Sequence, residues 1–80
     1  MTSKKRVVLI TGAESGIGKS TSKIFLDNGY KVICTYLKNN NNKNTKYIEY
    51  HRIDITKNKD WENLALYIKK KYKKIDVLVN

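Results

Sequence analysis

Two stretches in the first half of the chain have the hydrophobic patterns of buried secondary structure. The run Val7–Ile10 is continuously apolar and ends at a threonine and a glycine, which is typical of a strand buried on both faces. From Gly16 onward the apolar positions follow a helical spacing. The pair Asn28 and Gly29 predicts the end of this helix, because glycine suits the left-handed position after a helix C-terminus. The stripe expected to face the core consists of Ile17, Ile24 and Phe25.

The second half of the chain repeats the alternation of strand and helix. Residues 31–36 are predicted as a second strand and residues 47–54 as a third, and a polar loop over 39–46 separates them. Residues 75–79 form an apolar run that predicts a fourth strand. The segment before it has the spacing of a helix whose core face carries Trp61, Leu64, Ala65, Ile68 and Tyr72.

The predicted order of elements is strand, helix, strand, loop, strand, helix, strand. This alternation indicates an α/β fold, in which a parallel sheet of about four strands has right-handed crossovers and helices on both faces. Ligands bind such sheets at the carboxyl ends of the strands. Residues 1–80 are therefore interpreted as the first part of a larger α/β domain, and the part that would follow the fourth strand is expected to be absent.

The chain is strongly basic, with 17 lysines and arginines against 7 acidic residues and a net charge of +10. Such a charge raises the question of a nucleic acid or an anionic membrane as partner. Lysine and asparagine are abundant along the whole chain, so a compositional bias explains most of the charge. No pattern of aromatic residues accompanies the lysines of 69–74, and neither nucleic acid nor membrane is expected as a partner.

The sequence also predicts a compartment. Its single cysteine, Cys34, cannot form an internal disulfide and fits a reducing environment. No stretch approaches the roughly 20 apolar residues of a membrane span. The apolar run after the basic N-terminus is too short for a signal peptide, which needs about 7–15 such residues. A cytoplasmic location is expected.

The clearest chemical motif is the glycine-rich turn at residues 11–18, Thr-Gly-Ala-Glu-Ser-Gly-Ile-Gly. As a dinucleotide-binding loop, it would use Gly12 for a tight turn and Gly16 for a close approach of the backbone to a pyrophosphate. Gly18 would let the helix pack closely on the strand. The N-terminus of the helix would then offer N–H groups and a partial positive charge to the phosphates.

The overlapping segment 13–20 also nearly matches the phosphate loop of NTPases, with an alanine in place of the leading glycine. In this alternative, Lys19 would reach the β- and γ-phosphates of ATP and Ser20 would hold magnesium. Such an enzyme also needs an acidic residue at the end of an apolar strand. Asp54 follows a half-polar segment and Asp76 begins an apolar run, so neither fits well.

Four motifs follow one another at plausible spacing: the glycine turn, Gly-Tyr-Lys-Val-Ile at 29–33, Asp-Ile-Thr at 54–56, and Asp-Val-Leu-Val-Asn at 76–80. Together they resemble the N-terminal part of the short-chain dehydrogenase/reductase family, and the last one matches the approach to that family's Asn-Asn-Ala-Gly motif, cut after its first Asn. The resemblance implies a Rossmann-like three-layer fold. It also implies hydride transfer between NADP(H) or NAD(H) and an alcohol/carbonyl pair, and homo-oligomers for complete members.

The same resemblance implies which residues hold the cofactor. The glycine turn of the family contacts the pyrophosphate and the adenosine ribose, which corresponds here to Gly12, Ser15, Gly16, Ile17 and Gly18. The acidic residue after the third strand touches the adenine, which corresponds to Asp54 with Ile55 beside it. A turn or capping aspartate is the alternative role for Asp54.

Cofactor choice depends on the end of the second strand. An acidic residue there would accept a hydrogen bond from the ribose 2′-hydroxyl and select NAD. This chain has Tyr36 and Leu37 there, followed by Lys38, so no carboxylate would repel a 2′-phosphate and NADP is favoured. Ser15 departs from this pattern, because NADP-using relatives often carry a basic residue at that place.

Catalysis in the family needs a serine and a Tyr-x3-Lys pair, whose tyrosine acts as acid and base with its pKa lowered by the lysine. By the resemblance, these residues would follow residue 80. The Tyr-x3-Lys pair of this chain, Tyr67 and Lys71, lies on the predicted helix before the fourth strand, which is the wrong element. The 80-residue chain is expected to bind a cofactor without catalysing, and the lone His51 predicts no metal site.

Overall fold

A computed structural model describes residues 5–13, 15–38 and 40–80. Glu14 of the glycine turn and Asn39, the first residue of the predicted polar loop, lie outside these described residues. The chain forms β1 (Val7–Ile10), α1 (Gly16–Asp27), β2 (Lys31–Tyr36), β3 (Ile48–Arg52), α2 (Asn58–Lys71) and β4 (Val77–Val79). The first two strands match the sequence predictions, whereas β3 and β4 are shorter than the predicted 47–54 and 75–79.

All four strands run parallel in one sheet with the order β3-β2-β1-β4. Helix α1 lies in the crossover from β1 to β2. Helix α2 lies in the crossover from β3 to β4, which runs in the opposite direction across the sheet. Right-handed crossovers in opposite directions place helices on opposite faces. The predicted α/β fold with a four-stranded parallel sheet and helices on both faces is therefore confirmed.

Alternate residues of the strands supply two separate cores. On the α2 face, the buried cluster comprises Val7, Leu9, Ile33, Ile53, Leu64 and Ile68. On the α1 face, the buried cluster comprises Val8, Ile10, Ala13, Val32, Cys34 and Ile48, with Phe25 and Leu26 of α1 packed against it. Because β1 and β2 contribute to both clusters, they are buried on both faces, which explains their continuous apolar sequences.

Helix α1 buries a different face from the predicted one. Ile17 is 82% exposed and Ile24 is 61% exposed, so the predicted stripe was wrong for these two residues. The buried positions are Gly18 and Ser22, and the Ser22 hydroxyl lies 3.3 Å from the Cys34 thiol and donates to the Gly18 carbonyl over 2.8 Å. Small residues let this helix approach the sheet closely, and a hydrophobic pattern does not detect such a face.

Helix α2 follows its predicted face more closely. Leu64 and Ile68 are buried, and Trp61 and Tyr72 pack against the same cluster. Ala65 is exposed, which contradicts the prediction, and Tyr67 packs against the core instead. The reason is that the Tyr67 hydroxyl donates a hydrogen bond to the buried carboxylate of Glu49 on β3. The spacing of hydrophobic residues cannot predict such a polar contact.

The segment between β2 and β3 contains no helix or strand among its described residues, in agreement with the predicted polar loop. Side chains of the loop hydrogen-bond to the backbone of the next strand. The Asn44 side-chain oxygen accepts from the Tyr50 N–H over 2.8 Å, and the Thr45 hydroxyl accepts from the Ile48 N–H over 3.2 Å. Within the described part of the chain, neither helix is long and apolar enough to cross a membrane.

Candidate cofactor site

The glycine turn lies at the carboxyl edge of the sheet and is anchored on both sides. The Thr11 N–H donates to the Val79 carbonyl over 3.0 Å, which joins the turn to β4. The Ala13 N–H donates to the Thr35 carbonyl over 3.0 Å, which joins it to β2. Between these anchors Gly12 has a φ of +67°, a conformation that side chains rarely adopt. The turn is therefore held in one place above β1.

Ser15 builds the start of α1. Its hydroxyl accepts a hydrogen bond from the Gly18 N–H over 3.0 Å and donates one to the Gly12 carbonyl over 3.1 Å. The first interaction is the usual N-cap arrangement, which satisfies one of the unpaired donors at a helix start. The hydroxyl uses its one donor and one of its two acceptor positions within the turn, so Ser15 helps to fix the shape of the site.

Gly18 lies where the helix meets the turn. A Cβ atom on Gly18 would stand 2.7 Å from the Cα of Ala13 and 2.7 Å from the carbonyl oxygen of Gly12. No larger residue fits at this distance without movement of the backbone. The contact explains why the sequence has glycine here, and it sets the distance between α1 and the turn.

The start of α1 offers donors to an anion. Among the described residues, the backbone N–H groups of Gly16 and Ile17 make no hydrogen bond, as expected for the first turn of a helix. A Cβ atom on Gly16 would meet nothing within 4 Å, so open space lies directly beside its backbone. The partial positive charge of the helix end adds to these donors. The geometry fits a phosphate group.

A second part of the site lies at the end of β2. A cavity of about 280 Å³ is lined by Tyr36 and Lys38, the two residues expected to meet the adenosine ribose. Lys19, from the first turn of α1, lines the same cavity. The sequence predicted Lys19 only as a ligand of ATP, although its position directly after Gly18 already places it beside the glycine turn. The remaining lining residues are Ala13, Asn40, Asn41, Asn42 and Tyr50.

Asp54 and Ile55 follow β3, at the same carboxyl edge but one strand beyond β2. Neither residue lines the cavity beside Lys19. The Asp54 carboxylate accepts from the Thr56 hydroxyl over 2.6 Å and from the Thr56 N–H over 3.0 Å. The hydroxyl bond is the main reason why the pKa of Asp54 is lowered. Asp54 therefore forms a turn with its own neighbours, while Ile55 is exposed.

The residues that would bind ATP and magnesium in a phosphate-loop NTPase do not lie together in the structure. Lys19 and Ser20 are both exposed on α1, near the carboxyl edge of the sheet. Asp76 lies at the opposite edge, where its carboxylate accepts from the Val7 N–H over 2.7 Å. Asp54 has its carboxylate directed at Thr56. Neither aspartate is placed to hold a magnesium ion beside Ser20.

The Tyr-x3-Lys pair on α2 is directed at a buried carboxylate. The Tyr67 hydroxyl donates to Glu49 over 2.6 Å, and the Lys71 ammonium donates to the Tyr67 hydroxyl over 3.0 Å. Burial, followed by the hydrogen bond to Glu49, raises the pKa of Tyr67. An acid-base tyrosine needs a lowered pKa, so this pair lacks the electrostatics of a catalytic pair.

Known proteins match this chain over nearly its whole length. The family model described as short chain dehydrogenase matches residues 6–80. An NAD-dependent glycerol dehydrogenase from Listeria innocua serovar 6a is 36% identical over 80 residues, which cover 94% of this chain and 32% of that protein. The short-chain dehydrogenase reductase 3a of Arabidopsis thaliana is 32% identical over 79 residues, which cover 91% of this chain and 31% of that protein.

Solved structures agree with these relatives. A short chain dehydrogenase from Leptospira borgpetersenii serovar Hardjo-bovis with bound NAD+ has a TM-score of 0.84 to this chain at 27% identity. The superposition covers 96% of this chain and 31% of that structure. The chain thus spans about a third of the length of the curated relatives it matches, with 32% and 31% of their lengths covered. No support for the ATP alternative comes from these comparisons.

Proposed function

The chain belongs to the short chain dehydrogenase family, and we propose that it forms the N-terminal cofactor-binding portion of an NAD(P)-dependent oxidoreductase. The observation that carries this proposal is the glycine turn, where Gly18 brings the helix start close to the turn and open space lies beside Gly16. Among the described residues, the N–H groups of Gly16 and Ile17 make no hydrogen bond. The Listeria relative is named as NAD-dependent, and the Leptospira structure holds NAD+. Both names support a dinucleotide as the ligand.

Each residue of the proposed site has a distinct task. Gly12 and Gly18 give the turn its shape, and Gly16 and Ile17 donate to the pyrophosphate through their N–H groups. Ser15 holds the turn in place through its two hydrogen bonds. Asp54 and Ile55 lie farther along the same edge, where we expect them beside the adenine. The cofactor, when bound, supplies or accepts the hydride.

We propose that NADP is preferred over NAD. At the end of β2 the chain has Tyr36 and Lys38 instead of a carboxylate, and Lys19 lines the same cavity. Two ammonium groups beside one cavity favour a ligand with a 2′-phosphate, and none of the described residues that line this cavity is acidic. This preference rests on the chain's own lysines, since the cofactor named for the Listeria relative is NAD.

Titration of the purified chain with NADPH and NADH tests the preference. We expect the dissociation constant for NADPH to be lower by up to about fivefold, in line with one partly exposed charge contact. The Lys38→Glu variant is expected to reverse this order, because its carboxylate repels the 2′-phosphate. Tighter binding of NADH by the unmodified chain would disprove the preference while leaving the dinucleotide site in place.

The same titration separates the dinucleotide from ATP. NADPH is expected to bind without magnesium. Magnesium-dependent binding of ATP that Lys19→Ala abolishes, together with no affinity for NADPH, would instead support a phosphate-loop NTPase. This second result would overturn the proposed function as a whole.

We further propose that the whole enzyme transfers hydride between the cofactor and a small alcohol/carbonyl pair in the cytoplasm, as a homo-oligomer. The free and buried thiol of Cys34 fits a reducing compartment. Residues 1–80 carry no Tyr-x3-Lys pair at the carboxyl edge, so this polypeptide is expected to bind cofactor without turnover. Measurable oxidation of NADPH by the purified 80-residue chain with any carbonyl substrate would contradict this expectation.

A further inference from the structure

A cavity of about 920 Å³ opens between the C-terminal end of α2 and the first residues of the strands. Its walls include Val7 of β1, Lys31 of β2, Glu49 and His51 of β3, and Tyr72, which follows α2. Because α2 returns from the carboxyl edge to the amino edge of the sheet, this cavity lies at the opposite edge from the glycine turn. None of the proposed cofactor residues lines it, and its volume suits a small molecule.

The cavity is lined by far more positive than negative charge. Six lysines contribute to its surface: Lys5, Lys31, Lys46, Lys71, Lys73 and Lys74. Glu49 is the one carboxylate among the described lining residues. A concave surface with charges of one sign focuses their field, which raises the local concentration of ions of opposite charge. The partial negative charge of about half a unit at the end of α2 is small beside these lysines.

Glu49 is fully engaged inside the protein and does not neutralise the rim. Its side chain is 6% exposed, and its oxygens accept from Tyr67 over 2.6 Å, from Lys71 over 2.9 Å and from the hydroxyl of Tyr72. The Lys31 ammonium lies 3.3 Å away as a further partner. This network fixes the two tyrosine side chains in the cavity wall and removes the one lining carboxylate from contact with a ligand.

Three of the lysines keep their charge available. Among the described residues, Lys5, Lys46 and Lys73 form no ion pair. The ammonium groups of Lys5 and Lys46 lie 5.0 Å and 5.4 Å from the centre of the Tyr47 ring. Such cation–π contacts hold an ammonium group in place without cancelling its charge. The rim thus presents positioned positive charges.

We propose that this cavity binds a small, multiply phosphorylated molecule at a site separate from the glycine turn. Lysine ammonium groups bind phosphate as point charges, and several of them around one concave volume match several phosphoryl groups on one ligand. A single carboxylate would use only part of this charge. An extended nucleic acid would bind an open surface, whereas this volume is bounded by α2, the loop before β3 and three strands.

NMR titration of the ¹⁵N-labelled chain with inorganic tripolyphosphate, at saturating NADPH, tests the proposal. We expect the amide signals of Lys46, His51 and Tyr72 to shift and those of Gly12 and Gly16 to stay unchanged. Because the two groups of signals report on opposite edges of the sheet, failure of the cofactor proposal would not hide binding at this cavity. Shifts confined to the glycine turn would overturn the inference.

Two double variants with equal loss of charge separate a site from general attraction. Lys5→Gln with Lys46→Gln removes charge from the rim, whereas Lys69→Gln with Lys70→Gln removes it from exposed positions of α2 outside the cavity. We expect the first to weaken tripolyphosphate binding about tenfold and the second by less than about twofold. Equal weakening would disprove a built site, as would tighter binding of a single-stranded oligonucleotide than of tripolyphosphate to the same residues.

Discussion

The three glycines of the turn, Gly12, Gly16 and Gly18, do different physical work. Gly12 supplies a positive φ, Gly18 allows a contact that a Cβ atom would block, and Gly16 borders open space. The sequence predicted the tasks of Gly12 and Gly18 from the spacing of the glycines before a helix, whereas the approach of a pyrophosphate to Gly16 stays a prediction. It did not predict the double hydrogen bond of Ser15, which depends on the orientation of a hydroxyl within the folded turn.

Replacing Gly18 with alanine is expected to destabilise the fold. The added methyl group would stand 2.7 Å from two backbone atoms of Gly12 and Ala13, which cannot move as a flexible side chain does. Overpacking of this kind costs about 1–3 kcal/mol, and urea denaturation would measure it as a lower free energy of unfolding. Gly18→Ala is also expected to lose cofactor affinity, because the turn must shift.

Gly16→Ala is the matched control, since it adds the same methyl group where nothing lies within 4 Å. We expect its free energy of unfolding to stay within about 0.5 kcal/mol of the unmodified chain. Its affinity for NADPH is nevertheless expected to fall, because the methyl group occupies the space proposed for the pyrophosphate. Equal stability of the two variants would contradict the account of Gly18.

At the scale of elements, helix faces show what the sequence could and could not predict. The strand at Val7–Ile10 was predicted correctly because both of its faces are apolar and buried. The predicted buried face of α1 was wrong, because its buried residues Gly18 and Ser22 are small and not strongly hydrophobic. The hydrophobic residues Ile17 and Ile24 are exposed instead. Hydrophobic periodicity therefore predicts where a helix lies along the chain. It does not predict which face is buried when small residues let the helix approach the sheet closely.

The second helix is attached to the sheet by a polar network that no sequence pattern revealed. Glu49 belongs to the partly polar sequence of β3, yet it is buried and receives hydrogen bonds from Tyr67, Lys71 and Tyr72. Burial alone would raise the pKa of Glu49, but these hydrogen bonds outweigh burial and hold the pKa well below its usual range. The charged carboxylate therefore stabilises the folded state.

Glu49→Gln is expected to lower the free energy of unfolding at pH 7 by about 3–5 kcal/mol, because it leaves the buried Lys31 without its counter-charge. A lowered folded-state pKa stabilises the protein above the unfolded value of about 4.3, and this contribution is lost as the pH falls toward the folded value. The unmodified chain should thus lose stability below about pH 4.3 more steeply than the variant. Urea denaturation at several pH values measures both effects.

The Glu49→Gln variant is still expected to lose some stability in acid, because the pKa values of Asp54 and Asp76 are also lowered. Glu62→Gln removes an exposed carboxylate of the same helix and serves as the control. It should change the free energy of unfolding at pH 7 by less than about 0.5 kcal/mol. Parallel pH profiles for the unmodified chain and Glu49→Gln would refute the role given to this network.

At the scale of the whole molecule, the architecture could be predicted from the order of strands and helices alone. Alternation and right-handed crossovers sufficed to predict a parallel sheet between two helices. The two cavities at opposite edges were beyond prediction, because Lys19, Lys38 and the six lysines of the second cavity come from separate segments. Such groupings arise only when the chain folds.

An exposed edge of the sheet leads to a prediction about association. In the described sheet β4 has one neighbouring strand, and Leu78 on it is 55% exposed. Unpaired apolar edges promote self-association, and a lysine on such a strand opposes it. Leu78→Lys is expected to reduce light scattering by concentrated samples, whereas Leu66→Lys, at a 62% exposed position of α2, should not. An equal reduction by both variants would point to net charge instead of the strand edge.

Mapping of NADPH onto the ¹⁵N-labelled chain by NMR tests the claim that the glycine turn holds a nicotinamide dinucleotide. We predict that NADPH shifts the amide signals of Gly12, Gly16 and Ile17 at concentrations that leave the signals of Lys46 and Tyr72 unchanged. Unchanged signals at the glycine turn under saturating NADPH would contradict the claim.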